Sequence, residues 1–391
     1  MSTVTAPTVV IPGELLPEDG RFGCGPSKVR PAAVTALAAA GRDLLGTSHR
    51  QPPVRELVGR LRSGLLQFFG APEGYEVLLG IGGATSFWDA ATFGLIERRS
   101  EHLVFGEFSQ KFATAAAAAP HLEAPRVVES PPGTHPALVV DPDVDAYALT
   151  HNETSTGVVM PVARPRDGSG LVLVDATSAA AGVPVDLREA DVYYFSLQKG
   201  FAAEGGLWVA ICSPAAIERL ERIGGGGRWV PASLDLRVAL QNSRLNQTYN
   251  TPAISTLLLA VAQLEWMQER GGLQWACGRT ADSAAVMYGW AEAAPYASPF
   301  VAAPEERSPV VATIDLDSRV PAGRVSEILR AHGIVDTDAY RKLGRNQLRI
   351  GLFPAVEPED VRQLTRAIDH VVDRLGWVPT DAGAEAVTVL P

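Results

Sequence analysis

Two apolar runs end in residues that carry chemistry. Leu171-Val-Leu-Val-Asp175 closes on a carboxylate, and the run from Asp191 to Ser196 is followed three residues later by Lys199. In open α/β sheets, ligands bind outside the carboxyl ends of strands, so Asp175 is well placed for function. Taken alone it reads equally as an N-cap or turn aspartate. Lys199 at the end of a buried strand is partly desolvated, which lowers its pKa and frees the amine for Schiff-base formation. Alone it reads as a solvated lysine opening a loop. Gly200, Gly205 and Gly206 behind it would let a bulky ligand approach the backbone. Together the two residues fit one cofactor: pyridoxal phosphate (PLP) needs a lysine for its aldehyde and a carboxylate to keep its pyridine nitrogen protonated. Lysine is also scarce. Only Lys28, Lys111, Lys199 and Lys342 stand among 34 basic residues; a compositional bias that turns surface lysine into arginine explains the scarcity, and under such a bias each surviving lysine is a candidate for a place where an always-charged arginine cannot serve.

Ile81-Gly-Gly-Ala84-Thr85-Ser86 follows a strand and opens a helix, offering backbone amides, hydroxyls and a positive dipole end to a phosphate. It is neither a GxGxxG nor a Walker A loop, so by itself it marks only an anion site. Phe108 follows another strand and could stack on a flat ring, although core packing is the commoner fate of a lone Phe. Asn152-Glu-Thr154 ends a further strand, where a hydroxyl could bond a ring oxygen or simply make a turn. Cys24, Cys212 and Cys277 are far apart, and no cysteine–histidine spacing suggests a metal.

The elements that must position these residues alternate. Helical patterns at 31–41 and 54–69 (with Leu57, Leu61 and Leu65 on one face) precede strand 75–81, helix 86–97, strand 102–105 and helix 110–119. Apolar runs at 146–150, 171–174, 192–196 and 207–211 read as parallel strands buried on both faces. The Pro-rich segment 131–142 and the tetraglycine 224–227 read as connections. After a helix at 254–270 comes a second block: helix 273–293, strand 310–316, helix 322–332, strand 348–352 and helix 358–375. The expected architecture is α/β: an N-terminal arm (1–20), a large domain with a mainly parallel central sheet (21–270), a small α+β C-terminal domain (271–375) and a tail (376–391).

With 391 residues, 46% hydrophobic, the chain can bury a large core, and roughly 150 residues per domain predicts two to three domains. Its net charge of −10 leaves no basic excess for a nucleic-acid backbone. No basic n-region with an apolar h-region begins the chain, and the longest apolar stretch, 254–267, is interrupted by Gln263 and Glu265. The expectation is a cytoplasmic protein with no membrane partner.

The sequence resembles the phosphoserine aminotransferases of high-GC bacteria, within the class V aminotransferases of PLP fold type I. The similarity rests on an ordered set of segments: Phe22-Gly-Cys-Gly-Pro-Ser-Lys28, Thr47-Ser-His-Arg50, Gly82-Gly-Ala-Thr85, Gly106-Glu-Phe108, His151-Asn-Glu-Thr154, Asp175-Ala-Thr-Ser178, Ser196-Leu-Gln-Lys199 and Tyr249-Asn-Thr-Pro252. It implies Lys199 as the Schiff-base lysine and Asp175 as partner of the pyridinium nitrogen. It implies Ala84 and Thr85 at the phosphate turn, Phe108 over the ring, and Gln198 and Thr154 beside the ring hydroxyl and phosphate. Asn250 and Thr251 would reach the phosphate from a second subunit, so that a homodimer shares its active sites. His49 and Arg50 would grip the distal anion of the substrate, and Arg349 its α-carboxylate. The implied reaction converts L-glutamate and 3-phosphohydroxypyruvate to 2-oxoglutarate and O-phospho-L-serine by a ping-pong route in serine synthesis, with vitamin B6 synthesis as a second setting.

The chain departs from the family pattern in three places. Many members carry an arginine where Thr85 stands and a tryptophan where Phe108 stands. A His-Arg pair is replaced by Tyr340-Arg341, with a longer connection from Lys342 to Leu348. Arg341, Lys342 and Arg345 are the candidates to compensate at the substrate phosphate. The rival readings are another class V enzyme, such as an alanine–glyoxylate or serine–pyruvate aminotransferase, and a non-catalytic α/β protein that binds a phosphate ligand.

Overall fold

The computed structural model describes residues 9–166 and 170–379. The first eight residues of the expected arm and residues 380–391 of the expected tail lie outside the described residues. Two helices, α1 (Pro31–Leu44) and α2 (Pro52–Phe68), lead into β1 (Glu76–Ile81), α3 (Gly83–Gly94), β2 (Ser100–Val104), α4 (Glu107–Ala118), β3 (Arg126–Glu129) and β4 (Ala146–Thr150). A short ribbon of β5 (Asn152–Glu153) and β6 (Val158–Val159) precedes β7 (Leu171–Asp175), β8 (Val192–Ser196) and β9 (Leu207–Cys212). Helices α5 (Pro214–Gly225), α6 (Leu236–Arg244), α7 (Ile254–Gln268) and α8 (Gly272–Ala293) follow. The chain ends in β10 (Ala297–Pro299), β11 (Val311–Leu316), α9 (Ala322–Ala331), β12 (Gln347–Gly351) and α10 (Pro358–Arg374).

The central sheet runs β1-β9-β8-β7-β4-β2-β3. Strands β8, β7, β4, β2 and β3 are mutually parallel. One strand departs from the expected direction: β9 is antiparallel to both β1 and β8. The cause is the connection. Residues 197–206 are fewer than the dozen or so that a parallel crossover needs, so the chain turns straight back. All of β9 is buried, like its parallel neighbours, because helices cover both faces.

One core packs α1, α2 and α7 on one face of the sheet; in α2 the stripe Leu57, Leu61 and Leu65 is buried, as its spacing requires. A second core packs α3 to α6 on the other face around Phe87, Trp88 and Tyr194. A third core joins α8, α9 and α10 to the antiparallel sheet β10-β11-β12. Val9, Ile11 and Phe22 are buried in that third core, so the N-terminal segment is laid along the C-terminal elements. Its backbone is stitched there: Val335 N donates to Gly20 O at 2.8 Å, and Gly351 N to Phe22 O at 2.8 Å. The tetraglycine is not wholly a loop, since Gly224 and Gly225 complete the last turn of α5. Among the described residues no helix is long and apolar enough to cross a membrane.

Candidate active site

Three strands deliver the chemistry to one sheet edge. In register, Thr150 lies beside Asp175 and Asp175 beside Tyr194, so β4, β7 and β8 run out together. The hollow above them has a volume of about 330 Å3 and is lined by Ala84, Thr85, Phe108, Thr154, Asp175, Gln198, Lys199 and Arg349 of the sequence-predicted set. A larger groove of about 840 Å3 runs along Phe68, Leu273 and Cys277. Its single titratable group is the Cys277 thiol, pushed up to about 12 by burial, so size and chemistry part company there.

Lys199 is 6% exposed, and its Nζ donates to Thr154 Oγ1 at 2.8 Å. Burial pulls its pKa down from the usual 10.5 to about 8, with the Asp175 charge opposing the shift. The other three lysines each pair with a carboxylate: Lys28 with Asp19 and Asp360, Lys111 and Lys342 with Glu107. Lys199 alone is buried without such a bridge among the described residues. Its loop is tied to the N-terminal segment, where Ser27 N donates to Gln198 O at 2.8 Å and Ser27 Oγ to Lys199 O at 2.6 Å. Gly25 passes so close that a Cβ there would lie 2.5 Å from Lys199 Cε, and its φ of +136° suits glycine.

Asp175 is held from both sides. Its Oδ2 accepts from Trp88 Nε1 at 2.9 Å and its Oδ1 from Thr177 N at 2.9 Å. Across the cavity β1 ends, Gly82 turns the chain at φ +117°, and α3 begins. Ser196 Oγ takes the Ala84 amide at 2.7 Å, leaving the first-turn amides of Gly83 and Thr85 without an intrahelical acceptor. Such a turn holds phosphate.

Phe108 sits in the first turn of α4, which starts three residues earlier than the apolar pattern suggests. The reason is Glu153, fully buried beside that helix start. Its Oε2 accepts from Phe108 N at 3.1 Å, Ser109 N at 3.0 Å and Ser109 Oγ at 3.0 Å, while Oε1 accepts from Ser155 Oγ at 2.7 Å. A carboxylate at a helix N-terminus satisfies amides and meets the positive dipole end. The Phe108 ring centroid lies 5.2 Å from Lys199 Nζ and 6.2 Å from the Tyr340 ring.

Arg349 projects from β12, with Nη1 donating to Thr154 O at 3.3 Å and a buried Nε that has no partner among the described residues. Gln198 Oε1, Asn152 Oδ1 and Thr177 Oγ1 line the same cavity, buried and equally unpartnered. Buried polar groups are nearly always satisfied, so these call for a polar ligand. The anion turn, the oriented carboxylate, the aromatic face and the desolvated lysine fit PLP.

The remaining predicted residues stand elsewhere on the chain. His49 Nδ1 and Thr251 Oγ1 lie 3.2 Å apart, and Arg50 Nη1 donates to Gln247 Oε1 at 2.9 Å. With exposed Asn250 they form a separate surface cluster, in which burial and the Arg50 charge lower the His49 pKa. Arg341 is exposed in another recess with Asp338 and Gln347. Arg345 is forked onto Asp315, and Lys342 Nζ lies 2.5 Å from Glu107 Oε1. Sequence reasoning missed Trp88, Thr177, Ser196 and the anchoring carboxylate of Glu153. Thr177, Ser196 and Glu153 stand inside the quoted segments without a role given to them, and Trp88 left a signal of its own: a tryptophan on a buried helix face must find an acceptor for its N–H.

The class V aminotransferase family profile matches residues 134–363. A putative phosphoserine aminotransferase of Mycolicibacterium vanbaalenii is 59% identical, covering 95% of this chain and 100% of that protein. The phosphoserine aminotransferase of a Nocardioides species is also 59% identical, covering 93% of this chain and 98% of its own. Among solved structures, the phosphoserine aminotransferase of Cytophaga hutchinsonii superposes with a TM-score of 0.83 at 26% identity, over 90% of this chain and 99% of that one. The PLP-bound phosphoserine aminotransferase of Trichomonas vaginalis shares the fold, with a TM-score of 0.78 at 20% identity, over 90% of this chain and 100% of that one. On this likeness and the geometry above, the chain belongs to the phosphoserine aminotransferases, a PLP-dependent family of class V.

Proposed function

We propose that the protein transfers the amino group of L-glutamate to 3-phosphohydroxypyruvate, forming O-phospho-L-serine and 2-oxoglutarate in serine biosynthesis. The observation that carries the reading is Lys199: a buried, bridge-free amine lowered to about 8, in one cavity with a doubly anchored Asp175. When bound, PLP supplies the electron sink for the pair released as the substrate Cα–H bond breaks. The Gly83–Thr85 turn would hold its phosphate, Asp175 its ring nitrogen and Phe108 its ring face, with Gln198 and Thr154 at its polar edge.

Thr154 Oγ1 aims the Lys199 amine. In its neutral form that amine takes the proton from substrate Cα, and in the ammonium form it returns a proton, acting as general base and then acid. Arg349 offers a planar fork to the α-carboxylate, which both substrates share. The distal anion is assigned to His49 and Arg50, with Asn250 and Thr251 serving the cofactor phosphate. All four lie outside the cavity of their own chain, which supports a homodimer in which each cluster completes the partner's site. Arg341 is the further candidate for the substrate phosphate, from its recess beside Tyr340. We place the enzyme in the cytoplasm and divide it into a large domain (21–270) and a small one (271–375).

The test is the visible spectrum of the PLP-supplemented protein before and after O-phospho-L-serine is added. A band that bleaches on addition supports the reading. A band that ignores phosphoserine and bleaches with alanine transfers the protein to another class V activity. No band at all makes it a binding protein.

A further inference from the structure

Trp88 lies on α3, one and a half turns beyond the glycines of the anion turn. It is 4% exposed, and its ring stacks on Phe112 with 16° between planes and 6.4 Å between centroids. A phenylalanine would pack this space between helix and sheet. What the indole adds is one N–H, and in this structure that donor goes to Asp175 Oδ2 at 2.9 Å. The other carboxylate oxygen is turned toward its own loop by Thr177 N at 2.9 Å. The two donors come from different elements, so they fix the plane of the carboxylate as well as its position.

We propose that Trp88 is a positioning residue: its indole N–H sets the orientation of Asp175, and through α3 it ties the ring-nitrogen carboxylate to the phosphate turn. This rests on the assignment of Asp175 to the cofactor ring. One helix then spans both ends of the cofactor: its first-turn amides meet the phosphate, and Trp88 holds the group that meets the pyridine nitrogen. Losing the N–H leaves Asp175 held by the Thr177 amide, with the Tyr194 hydroxyl as its remaining neighbour.

The experiment uses full-length Trp88→Phe, Asp175→Asn and the double variant. PLP affinity is read by quenching of intrinsic fluorescence, and the visible band is titrated against pH. A hydrogen bond to a charged group supports an expected loss of about tenfold to a hundredfold in PLP affinity for Trp88→Phe. The pH midpoint of the band should shift with it, and ligand-free melting should fall as well, since the same buried bond is present without the cofactor. Because Trp88 acts through Asp175, the double variant should be no worse than Asp175→Asn alone. Wild-type affinity and pH profile in Trp88→Phe, or additive losses in the double variant, would overturn the proposal.

If Trp88→Phe does not fold, the indole N–H spectrum of the wild type decides. One of the seven tryptophan resonances should move in Asp175→Asn, and a spectrum unchanged by that substitution overturns the contact. The spectrum needs no cofactor. A wild type that fails to take up PLP therefore sinks the functional reading while this measurement still judges the Trp88–Asp175 link.

Discussion

Gly25→Ala tests whether the resting place of the Lys199 side chain sets the rate. The added methyl would stand 2.5 Å from Lys199 Cε and 3.4 Å from Cδ and Cγ. Carbon atoms pack at about 3.5–4.0 Å, so the outer half of the lysine must give way by about 1 Å. That displacement breaks the 2.8 Å contact from Nζ to Thr154 Oγ1. The fold should survive, because the clash falls on the end of a flexible chain and the strain of an alanine at this φ is about 1–3 kcal/mol. Catalysis should not. Misplacing a reacting group by 1 Å costs about a hundredfold in rate. The assay is single-turnover bleaching of the cofactor band by saturating O-phospho-L-serine, with melting and circular dichroism as controls. A slow, folded variant is expected. A folded variant that bleaches at the wild-type rate would show that proton transfer does not depend on where Lys199 rests.

Four further outcomes follow from the same geometry. The ligand-free protein should capture PLP at a rate that rises with pH and levels off above about 8, the Lys199 midpoint; a stopped-flow midpoint near the usual 10.5 refutes the desolvation. The sign for stability is fixed too: between these values the unfolded chain holds the proton and the native chain does not, so ligand-free stability falls as pH drops from 10.5 to about 8 and is flat below. Arg349→Lys keeps the charge and loses the fork, so kcat/KM should fall about 10- to 100-fold for glutamate and phosphoserine alike, and a loss confined to one substrate contradicts a shared clamp. Mixing inactive Lys199→Ala and Arg50→Ala subunits should restore about one quarter of wild-type activity, since each hybrid dimer regains one intact site; no recovery would return Arg50 to its own subunit.

Legibility of this fold varied with how local each feature is. Asp175 and Lys199 stand out because apolar strands end on them, and periodicity alone locates α2, α7 and α10. Patterning reports burial, not partners. It therefore marks β9 as buried without its direction, which the length of the preceding connection decides. Helix α6 is hard to see: nine residues with Arg237, Gln241, Asn242 and Arg244 outside its four buried positions. In the site, Glu153 reads as a turn residue until the start of α4 is brought to it from 44 positions away. The Trp88 contact spans 87 positions. The His49–Arg50 cluster follows from family likeness, since nothing in a single chain's pattern tells which copy a surface residue serves.

The stitching of Gly20 and Phe22 to Val335 and Gly351 sets an order of events during synthesis. Residues that leave the ribosome first find their place only when β12 has emerged, more than 300 residues later. Gly25 and Ser27, which bracket the lysine loop, hang from that late seam. The nascent protein can thus fold its central sheet while the pocket is still missing one wall, and cofactor loading belongs to the finished chain. A premature stop before β12 would remove Arg349 and, in the same stroke, unmoor the opposite end of the polypeptide.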